Sequence, residues 1–328
     1  MSMNDLINAN IHRIKEGARV LEEVARFILR DGPLFKKIRT FRHALQATPP
    51  ILSEVHDLGG VSLQEENTRH NLLALVQANA IRIQEALRVL EEISTDQTHK
   101  QKMKSLRYTA YELQAVLYQR TQQFVRQDKL CGLYLIIDTD LIKLPLEEIL
   151  HVINQSTVNL VQLRSHSLSK RALLQQAITC KTLLHADKLL IIHDHLDMAL
   201  DVAEGIHLGQ ADYPIDRIKK LLPDNFLLGV TCPDLKTATF AAKHGASYLS
   251  IGNLFAKPDE TKAHDTSLTK LQEIQATVHL PICAMGGIHA ENLQTILACH
   301  VQMVAAISAI WQQEDPLAAI QALQKQLG

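Results

Sequence analysis

In the C-terminal two-thirds of this chain, side chains able to do chemistry stand at or just past the ends of short apolar runs. Gln162, Arg164 and His166 close one run, His193 and Asp194 the next, and Gln210 and Asp212 the one after; Thr231, Asn253, Gly286-Gly287 and Ser308 follow in turn. As a set they suit phosphate chemistry. Arg164 and Lys262 bring positive charge and Gln162 brings donors for a diphosphate, because a guanidinium fork matches phosphate oxygens. His166 and His193 can add to them. Asp194 and Asp212 suit a hard cation such as Mg²⁺ beside phosphate, with a structural ion pair as the competing reading. Gly286-Gly287 lets backbone N–H groups approach an anion, or is a turn that needs positive φ. Ser308 opens the next helical stretch, where N–H groups face outward. Zinc at His193-Asp194-His195 is not expected, since three consecutive side chains rarely converge on one ion.

These residues need a frame. The apolar runs are LYLIID (133–138), NLVQLR (159–164), KLLIIHD (188–194), GIHLGQ (205–210), FLLGVT (226–231), YLSIGNL (248–254), PICAMGG (281–287) and MVAAISA (303–309). Most are continuously apolar, as strands covered on both faces must be. Stretches with helical periodicity separate them, such as Leu168 to Leu184 and Leu317 to Leu327. Eight strand–helix units over residues 131–328 predict an α/β fold, a (β/α)8 TIM barrel. An open doubly wound sheet is disfavoured, since no G-x-G-x-x-G follows the first run. In a barrel the loops after the strands build the active site. The polar residues above all fall on that rim, and the loops after strands seven and eight are its usual phosphate site.

The first 122 residues read differently. Ile7, Ile11, Ile14, Ala18, Leu21, Ala25 and Ile28 form one apolar helical stripe. Residues 9–23 (ANIHRIKEGARVLEE) return at 78–92 (ANAIRIQEALRVLEE), and FKKIRTFRH (35–43) is echoed by HKQKMKSLRY (99–108). This duplication of a two-helix unit predicts a helical bundle domain over residues 1–122. Asn10, Arg13, Glu16, Arg19, Glu22 and Glu23 recur as Asn79, Arg82, Glu85, Arg88, Glu91 and Glu92. They read either as solvated pairs, such as Arg19 with Glu23, or as a polar site where the copies meet. The polar stretch YQRTQQFVRQDKL (118–130) is expected to connect the two domains.

Bulk properties exclude several classes. The chain has 328 residues, 46% of them hydrophobic, and a formal net charge of −1. No basic excess points to nucleic acid, and no apolar run reaches the roughly 20 residues of a membrane span. The five cysteines are odd in number and form no C-x-x-C pair, which fits free buried thiols in a reducing, cytoplasmic setting. The expected partners are small molecules, with homo-oligomerisation left open.

With these motifs in place, residues 131–326 resemble the thiamine-phosphate synthase family. The family's Gln-Leu-Arg-x-Lys stands here as QLRSH (162–166), and its Asn-Asp as His193-Asp194. HLGQAD (207–212), GVT (229–231), IGNLFAKPDETK (251–262), AMGGI (284–288) and AAISAI (305–310) match further family motifs. The resemblance implies a Mg²⁺-dependent transferase that joins aminomethylpyrimidine diphosphate to thiazole phosphate, giving thiamine monophosphate and pyrophosphate. Asp194 and Asp212 would hold the metal. Arg164 and Lys262 would be catalytic. Gln162, His166, His193, Thr231 and Thr261 would bind substrate, and Gly286, Ile307 and Ser308 would cradle the thiazole phosphate. Four positions depart from the pattern: His166 for lysine, His193 for asparagine, Thr231 for serine, and a longer loop from Phe255 to Lys262. The two histidines motivate an alternative, a non-catalytic phosphate-binding or regulatory barrel. A thiazole tautomerase would carry a histidine where this chain has Pro233. The block NANIHRIKEGARVLEEVARF (8–27) resembles a helical module fused to such synthases and associated with an alternative hydroxymethylpyrimidine-phosphate kinase. No G-x-x-x-x-G-K-[ST] phosphate loop accompanies it.

Overall fold

A computed structural model describes residues 3–45, 71–255 and 264–327. The chain divides into two compact units, Met1–Val125 and Arg126–Gly328. Thr261 and Lys262, singled out from the sequence, lie outside the described residues.

In the first unit α1 (Met3–Glu23) runs into a π-helical turn (Val24–Ile28), followed by α2 (Gly32–Ala44), α3 (Leu72–Ile93) and α4 (Gln97–Asp128). Asp31 caps α2 by accepting from Leu34 N at 2.9 Å, and Asn71 caps α3 by accepting from Ala74 N at 2.8 Å. Each cap satisfies an N–H that the helix itself cannot. Ile14, Ala18 and Leu21 share a buried core with their repeats Ile83, Leu87 and Leu90. Full burial of each leucine or isoleucine contributes about 1.5–3 kcal/mol. Segment 118–130, expected to be a connector, is helical as far as Asp128. A glutamine- and arginine-rich sequence is a good helix former even without an apolar face.

The repeated charges divide into two roles. Arg19–Glu23 and Arg88–Glu92 are the i, i+4 pairs of a solvated face, at 2.6 and 2.5 Å. Glu22 and Glu91 are instead buried, and each accepts from an arginine of the next helix of its own copy, Arg42 at 2.6 Å and Arg107 at 2.9 Å. The arginine shared by the second pair of echoed segments is thus the partner of the buried glutamate. These pairs fasten helices within a copy.

In the second unit eight parallel strands close a barrel in chain order. They are β1 (Gly132–Asp138), β2 (Leu160–Arg164), β3 (Leu189–His193), β4 (Gly205–Leu208), β5 (Leu227–Thr231), β6 (Tyr248–Ile251), β7 (Ile282–Met285) and β8 (Met303–Ala306). All eight apolar runs are strands; the first gains Gly132, and the other seven are shortened by one to three residues at their ends. Alternate residues face outward under helices α5 (Leu146–Gln155) to α13 (Pro316–Leu327), which makes the runs continuously apolar. The others fill the barrel, among them Tyr134, Leu160, Ile191, Leu227, Tyr248, Cys283 and Met303. Among the described residues no helix is long and apolar enough to cross a membrane. All five cysteines are free; four are buried, but Cys131 is exposed, contrary to the expectation of buried thiols throughout.

Candidate active site

The β1–β2 corner sets the position of Arg164. The strand register places Asp138 opposite Arg164, one at each strand end. Nε of Arg164 donates to Asp138 Oδ2 at 2.8 Å, and one terminal nitrogen donates to the same oxygen. Asp138 is 2% exposed. Arg164 therefore commits one edge of its guanidinium and keeps the remaining N–H groups. Beyond the corner, Asp140 accepts from the Ser167 hydroxyl, from His166 N at 2.6 Å and from the Ser165 hydroxyl at 3.1 Å. The Ser167 hydroxyl first, and then the His166 N–H, hold its carboxyl down at about 2. This clasp fixes the loop carrying His166, whose side chain is exposed.

The two aspartates expected at a metal come from β3 and β4. Asp194 has φ 66°, a conformation rare for a residue with a side chain, and its N–H donates to His207 O at 2.9 Å. Asp212 is fixed by the N–H of Gly209, which donates to Oδ2. Partial burial first, and then the Asp212 carboxylate, push the Asp194 carboxyl up from the usual range. Like charges brought this close create a place for a cation. Among the described residues no group of three or more His, Cys, Asp or Glu could hold a metal alone. A cation here would complete its shell with substrate oxygens and water, as Mg²⁺ commonly does.

His193 behaves differently from a charged donor. Its ring stands edge-on to His166 at 6.0 Å and stacks on His207 at 5.9 Å. Burial lowers it to about 4, with Arg164 adding to the effect against a partial pull from Asp212. It is neutral near pH 7 and offers a hydrogen bond, not positive charge.

Gln162 and Thr231 join a polar chain inside the barrel. Gln162 is 1% exposed, and its Nε2 donates to the Tyr134 hydroxyl at 2.7 Å. Tyr134 and Tyr248 share a hydrogen bond at 2.9 Å, Tyr248 meets His207 Nδ1 at 3.0 Å, and His207 Nε2 meets Thr231 Oγ1 at 2.9 Å. Burial drives His207 down to about 3, so it is neutral. Ser250, beside Thr231 in the strand register, buries its hydroxyl without a partner.

A cavity of about 430 Å³ opens at the ends of β6, β7, β8 and β1. Arg164, Asn253, Gly286, Gly287, Ser308 and Gln312 are among the residues that line it, and Ile136, Met285, Ile307 and Trp311 are among its apolar walls. Gly286 (φ 98°) and Gly287 (φ 66°) turn the chain under it. A side chain at Gly286 would stand 2.6 Å from Asn253 N, so the turn also needs glycine for close approach. Phe255 N donates to Gly286 O at 3.1 Å, which ties the turn to the loop after β6.

The cavity thus gathers Arg164, Gly286, Ile307 and Ser308. Asp194 and Asp212 lie together elsewhere on the rim, and Gln162 and Thr231 sit on the interior chain. Sequence reasoning missed Asp138, Asp140, Tyr134, His207 and Tyr248. Asp138 carried a usable signal, as the charged end of an otherwise apolar run. His207 and Tyr248 stood out only as a polar and an amphipathic residue within apolar runs, with nothing in the runs to mark them as inward.

The comparisons agree with this fold. A family model described as thiamine monophosphate synthase matches residues 133–310, and one described as the ThiD2 family matches residues 5–116. A thiamine-phosphate synthase of Synechococcus sp. (strain CC9311) is 32% identical over 95% of this chain and 92% of its own. Another, from Synechococcus sp. (strain WH7803), is 33% identical over 96% of this chain and 93% of its own. The solved thiamine phosphate pyrophosphorylase from Pyrococcus furiosus superposes with a TM-score of 0.55 at 31% identity, covering 62% of this chain and 97% of that one.

Proposed function

The chain belongs to the thiamine-phosphate synthase family, and from that premise we propose how its residues divide the reaction. The enzyme joins a pyrimidine diphosphate to thiazole phosphate and releases pyrophosphate. The bond from the pyrimidine methylene carbon to the diphosphate oxygen breaks, and the electron pair leaves with the diphosphate. The thiazole nitrogen then supplies the pair for the new C–N bond. Catalysis therefore requires neutralising charge that grows on the leaving group, and aligning the thiazole behind it.

The observation that carries this reading is the cavity of about 430 Å³, where a glycine turn, a serine hydroxyl and a half-anchored arginine converge on one barrel rim. Gly286, Ile307 and Ser308 hold the thiazole phosphate. Arg164, with one edge fixed by Asp138, turns its remaining donors to the diphosphate, assisted by Lys262 and Thr261. His166 and His193 add hydrogen bonds, His193 as a neutral ring. Thr231 and Gln162 meet the pyrimidine side from the barrel interior. Asp194 and Asp212 would hold Mg²⁺, which would neutralise diphosphate charge; the closeness of the two carboxylates supports this assignment.

The ThiD2-family match supports a second role for the helical unit, as a pyrimidine-phosphate kinase supplying the diphosphate that the barrel consumes. The free thiols support a reducing, cytoplasmic setting. The test is pyrophosphate release by the full chain, with each substrate alone and with both, with and without Mg²⁺, for wild type and Asp194→Ala. The expected result is Mg²⁺-dependent release that needs both substrates and falls at least about a hundredfold in the variant. Release without thiazole phosphate, or equal turnover in Asp194→Ala, would overturn the division of roles.

A further inference from the structure

The interior hydrogen-bond chain has a direction, and the direction follows from proton counting. An amide nitrogen can only donate, so Tyr134 accepts from Gln162. A phenol has one proton of its own, and Tyr134 passes it to Tyr248. Tyr248 in turn donates to His207 Nδ1. A neutral imidazole that accepts at Nδ1 carries its proton on Nε2, and that proton goes to Thr231 Oγ1. The Thr231 hydroxyl proton is then left over, free to point into the mouth. The opposite direction would use the Thr231 proton on His207. It would also leave the proton of Tyr134, a residue with 0% exposure, with neither of its hydrogen-bond partners to accept it. Folded proteins rarely bury such a donor.

The backbone is shaped around this chain. At Gly229 a side chain would stand 2.2 Å from Tyr248 Cζ and 2.5 Å from His207 Nδ1, so the Tyr248–His207 link occupies the space that any other residue would fill. Tyr134 and Tyr248 meet edge to face at 5.9 Å, and His193 stacks on His207, so each ring is held in plane.

We propose that Tyr134, Tyr248 and His207 are positioning residues that fix the Thr231 hydroxyl as a hydrogen-bond donor to the substrate. None of the three touches substrate; they act through Thr231. The inference rests on the reading that Thr231 meets the pyrimidine substrate.

The experiment is a double-mutant cycle on the full, Mg²⁺-loaded enzyme with Tyr248→Phe, Thr231→Ala and the pair. Tyr248→Phe removes one hydroxyl and keeps the ring. Expected is a fall in kcat on the order of tenfold for each single variant, with KM for thiazole phosphate unchanged. In the Thr231→Ala background Tyr248→Phe should cost less than about twofold more. Fully additive losses would overturn the relay while leaving Thr231 in the site. Full activity in Thr231→Ala would instead sink the reading on which the relay rests. A readout independent of any variant is the ¹⁵N NMR signature of His207 in the wild-type protein. Protonation on Nε2 supports the direction, and protonation on Nδ1 refutes it. In Tyr248→Phe the preference for Nε2 should weaken.

Discussion

Asp138 shows how much of a site is held by a residue that need not touch substrate. Its carboxylate takes one edge of Arg164 and so decides which N–H groups remain for a phosphate. Asp138→Asn keeps the shape but removes the charge and leaves Arg164 a weaker anchor. The expected outcome is a KM for the pyrimidine diphosphate raised about tenfold, with thiazole phosphate KM unchanged, in steady-state kinetics. His193→Asn is expected to keep most activity, within about threefold. A neutral ring is being replaced by a neutral amide, so no charge is lost at the diphosphate. A loss of a hundredfold would show that the imidazole does something an amide cannot. At this scale the sequence was informative about residue types on the rim and silent about their partners. Arg164 was legible as a rim arginine suited to phosphate, but its fixed edge was not. That edge depends on the β1–β2 register, which pairs residues 26 positions apart.

At the scale of the element, turns and clasps position the loops. Gly286→Ala forces a side chain at φ 98° to within 2.6 Å of Asn253 N. This should destabilise the barrel by about 1–3 kcal/mol in chemical denaturation and raise KM for thiazole phosphate. The Asp140 clasp on the loop after β2 is pH-dependent, with a sign set by its lowered carboxyl, about 2 when folded. A depressed carboxyl binds its proton less readily when folded than when unfolded, near 4. The clasp is therefore fully present above about pH 4 and lost as pH falls towards 2. Hydrogen exchange at the His166 amide should accelerate over that window beyond the intrinsic rate, and Asp140→Asn should remove the acceleration. The strands themselves were plain in the sequence, because burial on both faces writes a continuous apolar run. The polar chain through Tyr134, Tyr248 and His207 was hidden for the same reason. Inward and outward positions look alike until the barrel closes and brings Tyr134 beside a residue 114 positions away.

At the scale of the molecule, two units with separate cores invite separate perturbation. Glu91 accepts from Arg107 at 2.9 Å and from Arg88 at 3.2 Å, so Arg107→Ala removes its partner on the next helix and leaves only the one on its own. The expected cost is about 1.5–3 kcal/mol in that unit's unfolding, the worth of one charge-assisted hydrogen bond. In Arg107→Ala, pyrophosphate release by the barrel should persist through a first thermal transition that removes only part of the helical far-UV signal, since the barrel keeps its own helices. Simultaneous loss of both would contradict independent cores. The duplication announced the helical unit from the sequence, and its echoed segments even contained Arg42 and Arg107. Their pairing with Glu22 and Glu91 was not legible, because charges repeated along one helix stripe look the same whether water or a neighbouring helix covers them.

Viewed as symmetry, the helical unit is a homodimer written on one chain. Each copy closes its own glutamate–arginine pair, and α1 buries its stripe against α3, its own image. Such isologous contact is what two separate identical chains would make. Covalent fusion releases the halves from having to stay identical. His12 where the second copy has Ile81, and Gly17 where it has Ala86, show that the two copies have already drifted apart.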